Sequence, residues 1–191
     1  MDETSRLSDE EILSRIFRSG GHLSQVLGDF EERVGQSAMA MQIWQAYQHS
    51  HIALIEAGTG IGKSWAYLVP ALLWALRRQE KTVISTHTIA LQQQLIERDI
   101  PFLLKALQID LKAAFVKGMS NYLCLRKFNE ISSDLFLQGE EKQEVDKLAL
   151  WVDKTEEGSR SELSFSLNLS WDKVAVDLNA CEQVKCPHYK K

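Results

Sequence analysis

Cysteine is scarce in this sequence, three residues in 191, and proline equally so. Three thiols argue against a disulfide framework in a chain whose first residues, Met1-Asp2-Glu3-Thr4-Ser5-Arg6, lack the basic-then-apolar order of an export signal. The cytoplasm is therefore the expected compartment. No apolar run approaches the roughly 18 residues of a membrane span, so no membrane association is expected. Charge of one sign is also missing: 22 Lys and Arg stand against 26 Asp and Glu, a formal net charge of -4. That balance gives no global basic footprint for nucleic acid, although a large motor can gather positive charge in a groove while staying acidic elsewhere. Internal repeats and low-complexity tracts are absent. With 45% hydrophobic and 25% charged residues, the chain has the composition of an ordinary soluble protein of one or two domains.

Glycine numbers only ten, yet three fall within five positions of Glu56-Ala57-Gly58-Thr59-Gly60-Ile61-Gly62-Lys63-Ser64. A polyphosphate brings several charges that must be met without steric obstruction. Small residues whose backbone N–H groups turn inward, followed by a helix N-terminus, meet that need. Gly58, Gly60 and Gly62 permit the close approach, Lys63 reaches the terminal phosphates as a point charge, and the Ser64 hydroxyl suits the oxygen shell of Mg²⁺. Ala57 stands where the common pattern has Gly. The motif should follow a buried strand, and His51-Ile52-Ala53-Leu54-Ile55 is an apolar run of the right length. The helix after it contains Pro70, which should kink it or end its first segment.

Short helical pieces are expected over residues 10–17 and 23–30, broken at Gly20-Gly21, and a helix over Ser37–Tyr47 with Ser37 as N-cap. Further strands are expected at Thr82–Thr86 and Ala113–Val116, with a helix over Ile89–Glu97 and another starting at Pro101. Strands alternating with helices from Ile52 to Val116 predict an α/β fold, a parallel sheet with helices on both faces. After Gly118 the character changes. Residues 121–131 and 143–152 read as helices, strand signals thin out, and the acidic stretch from Glu140 to Glu162 reads as a solvated helix face. Three parts are expected: N-terminal helices over 1–36, a first part of a motor domain over 37–118, and a second module over 119–191. Cys181 and Cys186 lie on one short loop with Cys124 far upstream. Thiolates at such spacing serve either zinc or an iron-sulfur cluster.

Taken together, these segments resemble the DinG and XPD group of superfamily 2 DNA helicases, from about Phe17 to Lys191. Arg33-Val34-Gly35-Gln36 looks like the adenine-sensing Q motif. Gln36 offers both a donor and an acceptor for the edge of adenine, with Arg33 supporting it. Residues 56–64 look like motif I. Ser85-Thr86-His87-Thr88-Ile89-Ala90-Leu91-Gln92-Gln93-Gln94-Leu95 is similar to motif Ia, which lies along the translocated strand. Thr86, His87, Thr88 and Gln92 are the expected DNA contacts, although capping by Thr88 and a solvated Gln92 are the alternative readings. Lys117-Gly118-Met119-Ser120-Asn121-Tyr122-Leu123-Cys124 resembles the segment that delivers the first cluster cysteine, and Trp171 to Cys186 the approach to the next two.

The resemblance implies a P-loop, RecA-like motor with a mostly helical iron-sulfur insertion. It also implies ATP, Mg²⁺ and a 4Fe-4S cluster on Cys124, Cys181 and Cys186, single-stranded DNA as track, 5′ to 3′ movement, and replication or repair proteins as partners. The long gap from Cys124 to Cys181 points to the bacterial DinG branch, with no exonuclease domain ahead of the helicase part. The fourth cysteine, the acidic motif II and the second motor domain with its arginine finger, worth roughly 10³-fold or more in rate, are not among the 191 residues. The expectation is an N-terminal part of such a helicase, inactive alone. Two other classes stay open: another P-loop ATPase or kinase with a zinc-bearing insertion, and a non-catalytic protein using the motor fold to hold DNA or a helicase partner.

Overall fold

The computed structural model describes residues 7–189, and the starting segment Met1–Arg6 and the closing Lys190 and Lys191 lie outside them. The chain forms two compact units, residues 1–115 and 116–191.

The first unit begins with α1 (Asp9–Phe17), which Ser8 opens through a reciprocal capping box. The Glu11 amide donates to Ser8 Oγ at 3.2 Å, and the Ser8 amide donates to the Glu11 carboxylate at 2.8 Å. A short α2 (His22–Val26) follows the Gly20-Gly21 break, shorter than the sequence pattern implied. Next come α3 (Val34–His49) and α4 (Lys63–Arg78), the principal packed pair of the unit. Their core holds Leu13, Ile16 and Phe17 of α1, Trp44 of α3, and Leu68, Val69 and Leu72 of α4. Trp74 joins the pair by packing edge-on to Trp44 at 5.7 Å and stacking on Tyr47 at 5.3 Å.

Two expectations for these helices are corrected. Helix α3 starts at Val34, with Arg33 rather than Ser37 as N-cap, so Gln36 sits in its first turn and is buried, 5% exposed. Pro70 neither ends nor divides α4, which runs unbroken through it. Proline in a helix interior costs about 3 kcal/mol, but Pro70 and its neighbours Leu68 and Val69 are fully buried. Each large apolar side chain so buried returns about 1.5–3 kcal/mol.

The motif Ia region forms α5 (Ile89–Gln94), a π-helical turn over Leu95–Asp99, and α6 (Ile100–Ala106). The expected parallel sheet is not formed: among the described residues there is no β-strand. Residues 51–55, 82–86 and 113–116 run without helical or ladder structure. Ile84 packs against the helical core, while Ile52, Leu54 and Val83 stand almost wholly in solvent. A parallel sheet is stable only with its strands paired and both faces covered, and Ile52, Leu54 and Val83 of the first two runs have no such cover.

The second unit contains α7 (Leu125–Ser132) and α8 (Gly139–Val152) around a core of Phe128, Val145, Leu148, Trp151, Trp171 and Val174. The helix expected from residue 121 begins only at Leu125, with Cys124 as its N-cap. The residues before it are drawn into extended bridges instead, Tyr122 with Ser159 and Leu123 with Ala175. The Leu123 amide donates to the Gly158 carbonyl at 2.9 Å and the Cys124 amide to that of Val174 at 2.7 Å. Lys117, whose side chain is only 2% exposed, donates from Nζ to Ser159 Oγ at 2.8 Å and Ser161 Oγ at 2.6 Å. Glu144 is buried inside α8 and accepts from the amides of Asn168 at 2.8 Å and Leu169 at 2.6 Å. Those bonds hold its carboxyl below the ordinary glutamate pKa.

Candidate nucleotide-binding site

The loop from Ala57 to Gly62 turns into the N-terminus of α4, with Gly60 at φ 82° and Gly62 at φ 80°. Both lie in the left-handed region that L side chains avoid. Gly62 also has a neighbour: a Cβ built on it would come within 2.2 Å of the Gln36 amide nitrogen. That closeness is used, since Gln36 Nε2 donates to the Gly62 carbonyl at 2.9 Å. Arg33 Nη1 donates to the Gly60 carbonyl at 2.5 Å, and its guanidinium pairs with Glu31 at 3.3 Å. The start of α3 thus grips the loop through its carbonyls, which leaves the loop N–H groups free to face an anion.

Lys63, the first residue of α4, bends back over the loop. Its ammonium donates to the carbonyls of Ala57 at 3.0 Å and Gly58 at 2.7 Å. Ser64 follows it, half-buried. Burial above all, and the Asp99 charge after it, push the Tyr67 phenol up, while the neighbouring Ser64 side chain draws it back in part. A cavity of about 330 Å³ opens beside the loop, its lining including Phe30, Arg33, Gln36, Gly62, Ser64, Trp65, Gln94 and Asp99. Such a cavity offers an amide for a base edge, aromatic surface for its face, and a cation, hydroxyl and helix N-terminus for phosphates. Thr59 and Ile61 belong to the turn of the loop, Thr59 exposed and Ile61 half-buried.

Arg33 and Gln36 of the Q-motif segment and Gly62 and Ser64 of the motif I segment therefore meet around one cavity. Asp99 and Gln94 were not legible as part of it. The one sequence signal that could have drawn attention to them is Pro101, which disturbs a helix otherwise running on from Ile89.

Thr86, His87, Thr88 and Gln92 cluster where the chain turns into α5. The Thr88 hydroxyl accepts from the Leu91 amide at 3.2 Å as the N-cap, and the Thr86 hydroxyl donates to the Thr88 carbonyl at 3.2 Å. His87 is exposed.

All three cysteines are free thiols and half-buried. Arg126, two residues after Cys124, donates to the carbonyl of Ala180 at 3.1 Å, next to Cys181. Asn129 meets His188 Nε2 at 3.3 Å, two residues after Cys186. Helix α7 thereby holds both ends of the Cys181–Cys186 loop. The donor chemistry suits a thiolate-held cluster. Among the described residues, however, no three His, Cys, Asp or Glu side chains are gathered closely enough to hold a metal ion. No described helix is long and apolar enough to cross a membrane.

A glycine loop feeding a helix, gripped by a Gln and an Arg from the start of the preceding helix, has the form of a phosphate-binding loop. The chain belongs to the DEAD/DEAH box helicase family, which it matches over residues 36–144. It is similar to the ATP-dependent DNA helicase YoaA of Haemophilus influenzae, 35% identical over 95% of this chain and 28% of that protein. It is likewise similar to the ATP-dependent helicase DinG of Mycobacterium tuberculosis, 37% identical over 81% of this chain and 26% of that protein. With the 3'-5' exonuclease DinG of Bacillus subtilis it shares 33% identity over 87% of this chain and 18% of the relative. The chain spans about a quarter or less of the length of these curated relatives.

Proposed function

We propose that these residues form the nucleotide-engaging portion of an ATP-dependent DNA helicase that moves 5′ to 3′ along single-stranded DNA and serves DNA repair. The observation that carries this reading is the grip of Arg33 and Gln36 on the carbonyls of Gly60 and Gly62. It holds residues 57–62 with their amides available to the phosphates of ATP. In the proposed complex Lys63 leaves the carbonyls of Ala57 and Gly58 for the terminal phosphates, the Ser64 hydroxyl joins Mg²⁺, and Gln36 and Arg33 serve the adenine side. Thr86, His87, Thr88 and Gln92 form the DNA-facing turn, contacting sugar and phosphate rather than base edges. Replication or repair proteins are the proposed partners.

Cys124, Cys181 and Cys186 are the proposed thiolate donors of a 4Fe-4S cluster, and no step of the nucleotide chemistry runs through them. Iron and sulfide in the purified protein, lost on Cys124→Ser, are the expected result. Zinc without sulfide would instead favour a zinc-bearing insertion.

Equilibrium binding of a fluorescent ATP analogue with Mg²⁺ tests the main reading. Binding that Lys63→Ala abolishes is the expected outcome, while binding indifferent to Lys63→Ala refutes the site. The 191-residue polypeptide alone is expected to bind without turnover, because the acidic pair that polarises the attacking water is not among its residues. DNA-stimulated ATP hydrolysis by it would overturn that expectation.

A further inference from the structure

The helix that starts at Ile89 cannot run regularly into α6. Pro101 has no N–H for the carbonyl four residues back, and its ring crowds that carbonyl. The chain opens to π geometry over Leu95–Asp99, and the Ile100 amide reaches back to the carbonyl of Leu95. Widened turns of this kind are frequent at functional sites. The last residue of this one, Asp99, is half-buried and lines the cavity shared by Gln36, Gly62 and Ser64.

Asp99 is also fixed there. Gln94 Nε2 donates to its Oδ2 at 3.0 Å, which leaves the other carboxylate oxygen for a ligand. A nucleotide with its base at Gln36 and its phosphates on the loop must put its sugar between them, within this cavity. The sugar presents hydroxyl groups that need acceptors, whereas Lys63 and Arg33 offer only donors, and an ionised carboxylate only accepts. Two other carboxylates border the cavity, but Glu31 is spent on Arg33 and Asp29 is exposed.

We infer that Asp99 reads the sugar of the bound nucleotide, its carboxylate accepting a hydrogen bond from the ribose 2′-hydroxyl, so that the site takes ribonucleotides in preference to 2′-deoxyribonucleotides. This assignment rests on the nucleotide-site reading above and extends it to a specificity-determining residue. It has a physical precedent in dinucleotide folds, where an acidic residue accepts from the same hydroxyl.

The test is equilibrium binding of ATP and dATP, each with Mg²⁺, to the 191-residue protein and its variants. The wild type is expected to favour ATP by about tenfold, the size of one hydrogen bond to a charged group. Asp99→Ala should bring the ratio close to one by weakening ATP while leaving dATP unchanged. Asp99→Asn keeps the side-chain shape and one acceptor, and should lower the ratio part of the way. Thermal melting of each variant separates this effect from misfolding, and Asp99→Asn carries the test should Asp99→Ala fold poorly. A wild-type ratio of one, or a ratio that survives both substitutions, overturns the assignment. If both nucleotides bind, Lys63→Ala weakens both and the Asp99 variants keep the ratio, the sugar assignment alone fails. If neither nucleotide binds the wild type, the nucleotide-site reading fails with it.

Discussion

Gly62→Ala isolates the contact between α3 and the loop. At φ 80° and ψ 40° an alanine pays the left-handed penalty of about 1–2 kcal/mol. Its Cβ would also lie 2.2 Å from Gln36 Nε2 and 3.1 Å from Gln36 Cδ, so Gln36 must withdraw. Because Gln36 is buried, withdrawal breaks its bond to the Gly62 carbonyl, a further loss of about 0.5–1.5 kcal/mol. The two effects sum to about 1.5–3.5 kcal/mol against the observed loop conformation, which on the proposed nucleotide reading is roughly 10- to 400-fold in affinity. Gly35→Ala is the matched control, since a Cβ there meets nothing within 4 Å and Gly35 has no positive φ. It should leave affinity nearly unchanged. Titration calorimetry with ATP and Mg²⁺ on both variants reads the difference. Wild-type affinity in Gly62→Ala would refute the claim that α3 sets the loop through Gln36.

Three further outcomes concern the second unit. Leu148 is wholly buried in its core, so Leu148→Ala should cost about 2–5 kcal/mol in urea denaturation followed by tryptophan fluorescence. Lys117→Met removes two charge-assisted bonds to Ser159 and Ser161 and should cost about 1.5–3 kcal/mol in the same assay; a neutral or stabilising result would mean that packing of the lysine stem carries its role. Because Glu144 titrates below its ordinary value of 4.5, its contribution is full above that pH and is lost as pH falls through the lowered pKa. Glu144→Gln should therefore destabilise the unit at neutral pH and flatten its acid dependence, and an unchanged acid profile would refute the role of its bonds to Asn168 and Leu169.

The glycine turn into α4 was legible because its requirements are local: residues that tolerate a left-handed backbone directly ahead of a helix. Helices α1, α3 and α4 were legible for a similar reason, from caps and apolar recurrence, with errors at the ends. Tertiary burial decided those ends. Gln36 was pulled into α3 by its bond to the loop, and Pro70 was kept within α4 by the core around it. The segment before Cys124 looked helical from its own residues, but Gly158 and Val174, more than 30 positions away, claim its amides. No local pattern encodes such a partner. Residues 51–55, 82–86 and 113–116 had the composition of strands, yet composition does not supply a neighbour, and a strand exists only through its neighbours. Asp99 escaped for the reason that makes it informative, since only the widened turn ahead of Pro101 brings it to the cavity.

The solvent exposure of Ile52, Leu54 and Val83 has a colloidal consequence. Short, exposed apolar stretches outside any ladder are templates on which other chains can lay down strands, and they carry no charge of their own to repel a second copy. In concentrated solution the described polypeptide should therefore behave as a sticky particle, its solubility governed by these few residues more than by its charged surface. Whatever first covers them, a further strand or another molecule, determines whether the chain stays dispersed.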